Sequence, residues 1–415
     1  MPVEALRCKE CGTEYPLDAR YVCEECFGPI EVAYDHSGLD AAGARRRIQA
    51  GSASIWRYAD FLPFAERPPA TRTSLEPGLT PLVRAERLAE RLGLGEVLVK
   101  NDAANPTHSF KDRVVGVAIA KARELEFETV ACASTGNLAN AVAAHSAAAG
   151  LDSYVFVPAD LEEQKLLATG VYGTRLVGVK GTYDEVNRLC TQLADDRPWA
   201  FVNVNLRPYY SEGSKTVAYE IVEQLGWELP DRVVCPVASG SLFTRIGRGF
   251  AEWRELGLVE GELPTFSGAQ AEGCGPVAEA FAEGWDICKP TAKPDTIAKS
   301  LAIGDPADGP YALELARKTS GSVESVTDDE IRDGIRLLAE TTGIFTETAG
   351  GVTVATLRKL AEAGAIDPSE RVVVVITGEG LKTLDATREG FRMAEIEPTV
   401  SDFEAQAERA EPVVV

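Results

Sequence analysis

"NPTHSFKDR", residues Asn105 to Arg113, separates a hydrophobic run that ends at Lys100 from another that begins at Val114. This pattern predicts that a β-strand ends before the stretch and that a helix begins at its end. Lys111 would then lie at a strand-to-helix junction, between a phenylalanine and an aspartate. Because open parallel sheets bind their ligands at such junctions, Lys111 is the first candidate for a functional residue.

The same alternation of strand and helix patterns runs along most of the chain and predicts its fold class. The predicted strands are 96–100, 129–132, 154–157, 175–179, 200–203, 232–237, 265–269 and 371–377, and the predicted helices are 114–126, 138–149, 183–194, 215–225, 244–256 and 328–341. Strands and helices that alternate at this spacing indicate an α/β fold, with parallel sheets covered by helices on both faces.

The composition of the chain argues against two classes of partner. The chain has 415 residues, enough for two sizeable domains, and 64 acidic against 42 basic residues give a formal net charge of −22. This charge disfavours nucleic acid and anionic membranes as partners. An acidic surface suits a salt-rich cytoplasm, although an ordinary acidic protein remains the alternative. The amino terminus lacks a basic-then-apolar signal and no apolar run is long enough to span a membrane, so we expect a cytoplasmic protein.

Four cysteines form two CxxC pairs near the amino terminus. Cys8 and Cys11 are separated from Cys23 and Cys26 by eleven residues, a spacing that offers four thiolates to one zinc ion. Metal binding would stabilise a segment that is too small to have its own hydrophobic core. The alternative is two reduced pairs in a ribbon that no longer holds metal. Four protein ligands leave no position open for substrate, so the predicted role is structural.

Four loops rich in small residues each precede or begin a helix. The first is the opening stretch, and the others are "ASTGNLAN" (133–140), "PVASGSLFT" (236–244) and "TGEGLK" (377–382). Backbone amides at the start of a helix bind anions without any charged side chain. The sequence therefore predicts anion binding at several of these loops.

Lysine is the strongest candidate for catalysis. Only three histidines occur, which argues against a histidine-based triad or metal centre. A lysine can form a Schiff base with the aldehyde of pyridoxal phosphate. That cofactor also needs a cradle for its phosphate, a partner for its pyridine nitrogen and a clamp for the substrate carboxylate. Lys111 and the three other loops together offer one candidate for each of these four groups.

The motifs resemble those of a known family. "NPTHSFKDR" is similar to the "NPTGSFKDR" of fold-type II pyridoxal-phosphate enzymes, and "STGN" with "TGEGLK" resembles the threonine synthases among them. The likeness extends over about residues 77–382 and includes "SGAQAEGCGPV" (267–277) and "IGDP" (303–306). It implies a homodimer with two parallel-sheet domains. The expected units are a zinc-ribbon-like module (1–32), a large cofactor-binding domain (33–96 and 206–394), a small domain (97–205) and an acidic tail (395–415).

The resemblance also implies a role for each loop. Lys111 is expected to hold the cofactor as a Schiff base and to move protons. Two residues are expected at the cofactor ring: Asn137 at its hydroxyl and Thr377 at its nitrogen. The cofactor phosphate is expected to bind Ala238, Ser239, Gly240, Ser241 and Leu242. The substrate is expected to bind through its carboxylate to Ser134, Thr135 and Gly136, and through its phosphate to Arg207. Two departures stand out. His108 replaces the usual glycine, and the segment 203–216 is one residue longer than the family pattern, which shifts Arg207.

By this resemblance, the chain converts O-phospho-L-homoserine and water to L-threonine and phosphate by β,γ-elimination and replacement. Two alternatives share the fold: a cysteate synthase-like enzyme that acts on O-phosphoserine, and a threonine dehydratase. Dehydratases typically carry an "SGGN"-like stretch where this chain has "TGEGLK". A catalytically silent zinc-ribbon interaction protein is the alternative of a different class, and the intact Lys111 argues against it.

Overall fold

The computed structural model describes residues 3–64, 75–181, 183–388 and 395–407. The end of the predicted acidic tail, 408–415, lies outside these described residues. The strands are β1 (Val3–Cys8), β2 (Glu14–Tyr15), β3 (Ile30–Tyr34), β4 (Leu82–Arg84), β5 (Glu96–Asn101), β6 (Thr129–Ala133), β7 (Asp152–Pro158), β8 (Arg175–Val179), β9 (Ala200–Phe201), β10 (Arg232–Pro236), β11 (Thr265–Ala271), β12 (Ser322–Val326) and β13 (Arg371–Ile376).

The α-helices are α1 (Ala41–Gln49), α2 (Glu86–Leu92), α3 (Lys111–Glu124), α4 (Asn137–Ala149), α5 (Glu163–Gly170), α6 (Tyr183–Asp196), α7 (Arg207–Glu212), α8 (Lys215–Gln224), α9 (Ser241–Glu255), α10 (Pro276–Ala282), α11 (Gly309–Lys318), α12 (Asp328–Thr342), α13 (Thr348–Glu362) and α14 (Val400–Asp402). Short 3-10 turns occur at Ile55–Phe61, Asp102–Ala104, Lys299–Leu301 and Gly380–Thr387, and a π turn at Phe403–Ala407. Within the described ranges, no helix is long and apolar enough to cross a membrane.

The larger sheet has six strands in the order β12-β11-β10-β13-β5-β4, all parallel except the edge strand β4. Its central strand β13 is a continuous apolar run because both faces of the sheet are covered. Val373 and Val375 pack into a cluster with residues of α8 and α9, whereas Val372 and Val374 pack against residues of α2 and α13. The predicted arrangement of parallel strands with helices on both faces is therefore confirmed.

The smaller sheet has four parallel strands in the order β8-β7-β6-β9. Its strand β6 ends at Ala133, immediately before the "STGN" loop and helix α4. The loops that follow β5, β10 and β13 leave the carboxyl edge of the larger sheet side by side, because these strands are parallel and adjacent in the order β10-β13-β5. The four small-residue loops thus all follow the carboxyl ends of parallel strands.

The amino-terminal module is a three-stranded antiparallel sheet in the order β2-β1-β3. Leu6 and Ile30 from this sheet share one hydrophobic cluster with Val115 and Ile119 of α3. The module is therefore packed onto the helix that begins at Lys111. We infer that this shared cluster, together with any bound metal, stabilises so small a sheet.

The sheet pairing suggests a different place for two of the expected domain boundaries. Strand β5 was expected to begin the small domain at residue 97, but it pairs with β13 along six residues and belongs to the larger sheet. Strand β3 crosses the predicted end of the module at residue 32. Sequence patterns locate strands without giving their partners. We propose that the small domain begins after the 3-10 turn Asp102–Ala104 and that the module extends through Tyr34.

Candidate active site

The opening stretch is held against the end of β13 by its backbone. The amide of Phe110 donates to the carbonyl oxygen of Thr377 at 2.9 Å, and Ser109 forms an isolated β-bridge with Gly378. The buried carboxylate of Asp112 accepts hydrogen bonds from the amide of Thr107 at 2.7 Å and from its hydroxyl at 2.9 Å. These contacts fix the loop that leads into α3. The helix begins at Lys111, three residues earlier than its hydrophobic pattern predicts.

His108 departs from the family pattern at a position where the backbone favours glycine. Its φ angle is +61°, in the left-handed region that glycine adopts without steric cost. The family's usual glycine suits this conformation, whereas a histidine pays a small energy cost to adopt it. His108 is exposed, and its carbonyl oxygen accepts a hydrogen bond from the amide of Glu379 at 3.2 Å. The backbone of the loop therefore keeps its shape despite the substitution.

Lys111 extends from the first turn of α3 towards α7. Its Nζ donates to the hydroxyl oxygen of Tyr210 at 3.0 Å and lies 4.5 Å from the centre of the Phe110 ring. The lysine is half-buried, so the amine is accessible to a bound ligand. Sequence reasoning did not single out Tyr210, because helix α7 is short and its pattern gave no helix signal.

A buried set of charges anchors the start of α3. The guanidinium of Arg113 donates to both carboxylate oxygens of Asp102, at 2.6 and 2.8 Å, and to both of Glu220. Lys100 also contacts Glu220, with 2.7 Å between Nζ and a carboxylate oxygen. Burial alone would raise the pKa of Glu220, but the charges of Arg113 and Lys100 outweigh burial and lower it to about 2. All four side chains are fully buried, so this set fixes α3 two residues after Lys111.

The "STGN" loop places Asn137 at the first position of α4, with the amides of Ser134 to Gly136 just before the helix. The Nδ2 atom of Asn137 donates to Glu347 at 2.9 Å, and its Oδ1 accepts from Nζ of Lys382 at 2.7 Å. These two contacts set the orientation of the amide. The second hydrogen of Nδ2 is then left to donate to a ligand, as expected for a partner of the cofactor's ring hydroxyl.

Glu347 joins two of the predicted cofactor-binding residues, although sequence reasoning did not identify it. Its buried carboxylate accepts from Asn137 and, at 3.2 Å, from the hydroxyl of Thr377. Burial raises the pKa of Glu347, while the hydrogen bond from Asn137 and the charge of Lys382 act in the opposite direction. The residue directly precedes α13, whose two adjacent glycines obscured the helix in the sequence.

Lys382 is a second lysine beside the same loops. Besides its contact with Asn137, its Nζ donates to the carbonyl oxygen of Thr107 at 2.6 Å. Burial lowers the pKa of Lys382, and the nearby carboxylate of Glu347 partly opposes that shift. Lys382 thus connects the "TGEGLK" loop with both the opening stretch and the "STGN" loop.

The loop from Ala238 to Leu242 leads directly into α9, which begins at Ser241. Gly240 has a φ angle of +93°, and a Cβ atom there would lie 2.6 Å from the carbonyl oxygen of Asp308. Only glycine fits this position. The amide of Asp308 donates to the carbonyl oxygen of Ser239 at 2.8 Å and holds the loop from beneath. The amides of the first turn of this fifteen-residue helix have no intrahelical partners, which suits a phosphate.

Arg207 begins α7 and lies next to this loop. Its Nη2 donates to a carboxylate oxygen of Asp308 at 2.8 Å. Because the backbone of Asp308 also contacts Ser239, the arginine and the phosphate loop are joined through one residue. The extra residue in segment 203–216 has therefore not removed the arginine from the neighbourhood of the predicted site.

The structure brings the predicted residues together in two groups that meet at Lys111. Asn137 and Thr377 are joined by Glu347, and the loop containing Thr377 is hydrogen-bonded to the opening stretch. On the other side, α7 carries Tyr210, which contacts Lys111. Arg207, the first residue of α7, contacts Asp308, and Asp308 in turn contacts the loop from Ala238 to Leu242.

The donor set fits pyridoxal phosphate. The amine of Lys111 is half-buried and reachable, and a glycine-shaped loop at a helix start offers amides to a phosphate group. Asn137 and Thr377 offer an amide and a hydroxyl, which are suitable partners for a ring hydroxyl and a ring nitrogen. Lys111 would hold the aldehyde carbon, and the loop from Ala238 to Leu242 would hold the phosphate.

The four amino-terminal cysteines form a cluster that could hold a metal ion. Their sulfur atoms all lie within 4.8 Å of one another, and the pairs Cys8–Cys26 and Cys11–Cys23 are each 3.5 Å apart. Sulfurs bound tetrahedrally to zinc at about 2.3 Å are separated by about 3.8 Å. The cluster is therefore close to the size that four-coordinate binding requires.

Comparison with known proteins shows the family to which the chain belongs. The sequence model of the family described as "Pyridoxal-phosphate dependent enzyme" matches residues 73–378. Threonine synthase from Methanocaldococcus jannaschii is 39% identical over 381 residues, 92% of this chain and 93% of that protein. Threonine synthase from Methanosarcina acetivorans is 38% identical over 406 residues, 97% of each chain.

Solved structures share the fold at low sequence identity. Threonine deaminase isoform 2 from Solanum lycopersicum superposes with a TM-score of 0.64 at 20% identity, over 94% of this chain and 92% of that chain. Maize serine racemase gives a TM-score of 0.63 at 17% identity, over 82% and 92% respectively. The chain belongs to the family of pyridoxal-phosphate dependent enzymes, in which the curated relatives named above are threonine synthases.

Proposed function

We propose that the chain is a pyridoxal-phosphate dependent lyase that converts O-phospho-L-homoserine and water to L-threonine and phosphate. The observation that carries this proposal is identity of 38–39% with two threonine synthases over 93–97% of their length. The site supports it because Lys111, Asn137 and Thr377, which the resemblance assigns to the cofactor, lie on loops that contact one another.

The chain's own residues have separate tasks in this reaction. Bound at Lys111, pyridoxal phosphate would withdraw electrons from the substrate and make loss of its α-proton less costly. Lys111, which the resemblance assigns to the cofactor's Schiff base, then takes the proton from Cα. The amides of Ser134 to Gly136 hold the substrate carboxylate at the start of α4. Thr377, which donates its hydroxyl proton to Glu347, would face the ring nitrogen with its hydroxyl oxygen.

The phosphate of the substrate is assigned to Arg207. A guanidinium binds phosphate in two-pronged geometry, and Asp308 keeps it directed towards the loop that begins α9. Loss of such a charge-assisted contact costs about 1.5–3 kcal/mol, which corresponds to roughly a ten- to a hundredfold rise in KM. Arg207→Met should show this rise for phosphohomoserine. Because Asp308 also contacts Ser239, pyridoxal phosphate content must be measured in the same variant.

The function is tested by incubating the purified holoenzyme with O-phospho-L-homoserine or O-phospho-L-serine and identifying the amino-acid products. We expect phosphate release with phosphohomoserine and L-threonine in equal amount. Turnover of phosphoserine with a sulfur nucleophile, without threonine from phosphohomoserine, would assign the chain to β-replacement instead. Formation of 2-oxobutanoate from threonine as the main reaction would assign it to the dehydratases.

We also propose that Cys8, Cys11, Cys23 and Cys26 bind one structural zinc ion. The support is their mutual spacing and the small size of the sheet that carries them. Elemental analysis of the purified chain should give about one zinc per chain. Substoichiometric metal after purification in zinc-containing medium would instead support a ribbon without metal.

A further inference from the structure

Tyr210 is the polar group in direct contact with the catalytic amine. Its hydroxyl oxygen accepts from Nζ of Lys111 at 3.0 Å, and its ring centre is 5.7 Å from that atom. The tyrosine is half-buried, as the lysine is, so both groups border the space that a ligand would occupy. None of the roles assigned above uses this hydroxyl.

The packing of α7 fixes the position of Tyr210. Gly213, which ends this helix, is pressed against α3: a Cβ atom there would lie 2.6 Å from the carbonyl oxygen of Arg113 and 2.7 Å from Cα of Val114. The hydroxyl of Tyr209, in the same helix, donates to the carbonyl oxygen of Asp18 in the amino-terminal module at 2.8 Å. Helix α7 thus contacts both α3 and the module, and Tyr210 faces Lys111.

The place of Tyr210 on helix α7 indicates which part of a bound substrate its hydroxyl would lie beside. Arg207 and Tyr210 are three residues apart on this helix and therefore lie on neighbouring parts of its surface. If the proposed function is correct, Lys111 acts at the α-carbon and Arg207 binds the γ-phosphate. The hydroxyl of Tyr210 then lies beside the part of the substrate between those ends, the β- and γ-carbons.

We propose that Tyr210 is a further catalytic residue, which delivers the proton that the γ-carbon gains during the reaction. Loss of the α-proton, of one β-proton and of phosphate leaves a double bond between Cβ and Cγ. One electron pair of that bond forms the new C–H bond at Cγ, while the oxygen of water bonds to Cβ and loses one proton to solvent, from which the released phosphate takes one. The O–H bond of Tyr210 breaks, and its electron pair stays on the oxygen. The ammonium group of Lys111, which carries the proton taken from Cβ, then returns a proton to that oxygen, and the proton taken from Cα is returned to Cα at the end. No external oxidant or reductant is needed.

The test compares Tyr210→Phe with Tyr209→Phe in the holoenzyme. Both changes remove one hydroxyl from the same helix, but only Tyr210 faces Lys111. Loss of a group that transfers a proton typically slows a reaction by a hundredfold or more. We expect Tyr210→Phe to lower kcat for phosphohomoserine by roughly that factor and to leave pyridoxal phosphate content unchanged. Tyr209→Phe should keep both values.

Pre-steady-state measurements locate the affected step. Since phosphate leaves before Cγ is protonated, Tyr210→Phe should release about one phosphate per active site rapidly and then turn over slowly. In deuterium oxide the variant should still exchange the α-proton of the substrate, because Lys111 is intact. Unchanged turnover, or slow turnover without the phosphate burst, would overturn the assignment.

A second readout does not depend on the reaction. In cofactor-free protein, the amine of Lys111 must break its hydrogen bond before it can react with acetic anhydride. Removal of that bond should raise the labelling rate of Lys111 by about two- to tenfold in Tyr210→Phe, measured by peptide mass spectrometry. Tyr209→Phe should label at the rate of the original protein. Equal rates in all three proteins would refute the contact itself, whereas failure to form threonine in the original protein would refute only the proposed function.

Discussion

Replacement of Arg113 by methionine should destabilise the chain by several kcal/mol. The guanidinium is fully buried and makes two-pronged contacts with Asp102 and Glu220. Removing one partner from a buried ionic set costs about 3–5 kcal/mol, because uncompensated charge remains inside the protein. The lowered pKa of Glu220, which Arg113 and Lys100 cause together, indicates a contribution of the same order. A shift from 4.5 to about 2 corresponds to about 3 kcal/mol of stabilisation at neutral pH.

The pH dependence follows from the direction of that shift. The folded-state pKa of Glu220 is below its ordinary value, so its contribution to stability is complete above about pH 4.5 and is lost as the pH falls towards 2. Without Arg113, only Lys100 opposes the effect of burial, so the pKa of this carboxyl is higher than in the original protein and it protonates at higher pH. The cost of Arg113→Met should therefore be largest near pH 8 and smaller near pH 5.

Urea unfolding followed by fluorescence measures this cost at each pH. Arg388→Met is the control, because Arg388 and its partner Asp385 are both about four-fifths exposed and such pairs contribute little. We expect no measurable change in the control. A cost for Arg113→Met below about 1 kcal/mol at pH 8, or one that grows towards pH 5, would refute the account of how α3 is anchored.

Three further predictions concern the loops and the module. Gly240→Ala should weaken pyridoxal phosphate binding, measured by absorbance titration, because the added Cβ meets the carbonyl oxygen of Asp308. The control is Gly257→Ala, which is also at positive φ but has open space around it and should leave the affinity for the cofactor unchanged. Lys382→Met should lower cofactor affinity by roughly ten- to a hundredfold, since it removes the charged donor that orients the site's asparagine. Cys8→Ser should release bound zinc, measured by a chromogenic chelator, and leave cofactor absorbance intact; loss of both would contradict a structural role.

The fold was largely predictable because buried parallel strands leave a strong signal. The continuous apolar run of β13 and the regular alternation of strands and helices both appear in the printed sequence. Helix α13 was missed because Gly350 and Gly351 are typical helix breakers. In the structure, a Cβ on Gly351 would lie 2.6 Å from the carbonyl oxygen of Ile331, so glycine here permits close contact between α12 and α13.

The site was predictable only where a residue belongs to a loop with its own signature. Lys111 and Asn137 lie in such loops, and so they could be named from the sequence. No local sequence pattern predicts the roles of Glu347, Asp308 and Tyr210, because each contacts site residues that are distant from it in sequence. Glu347, for example, meets Asn137 across 210 positions in the chain. Tertiary packing supplied this part of the site.

We propose that Lys111 is the lysine that binds the cofactor. The competing amine is that of Lys382, which lies beside Asn137. Borohydride reduction of the purified holoenzyme, followed by digestion and mass spectrometry, fixes the cofactor to the lysine that carries it. We predict the pyridoxyl label on the peptide that contains Lys111 and a Lys111→Ala protein that folds but carries no label. A label on Lys382, or on any other lysine of the original protein, would contradict the account.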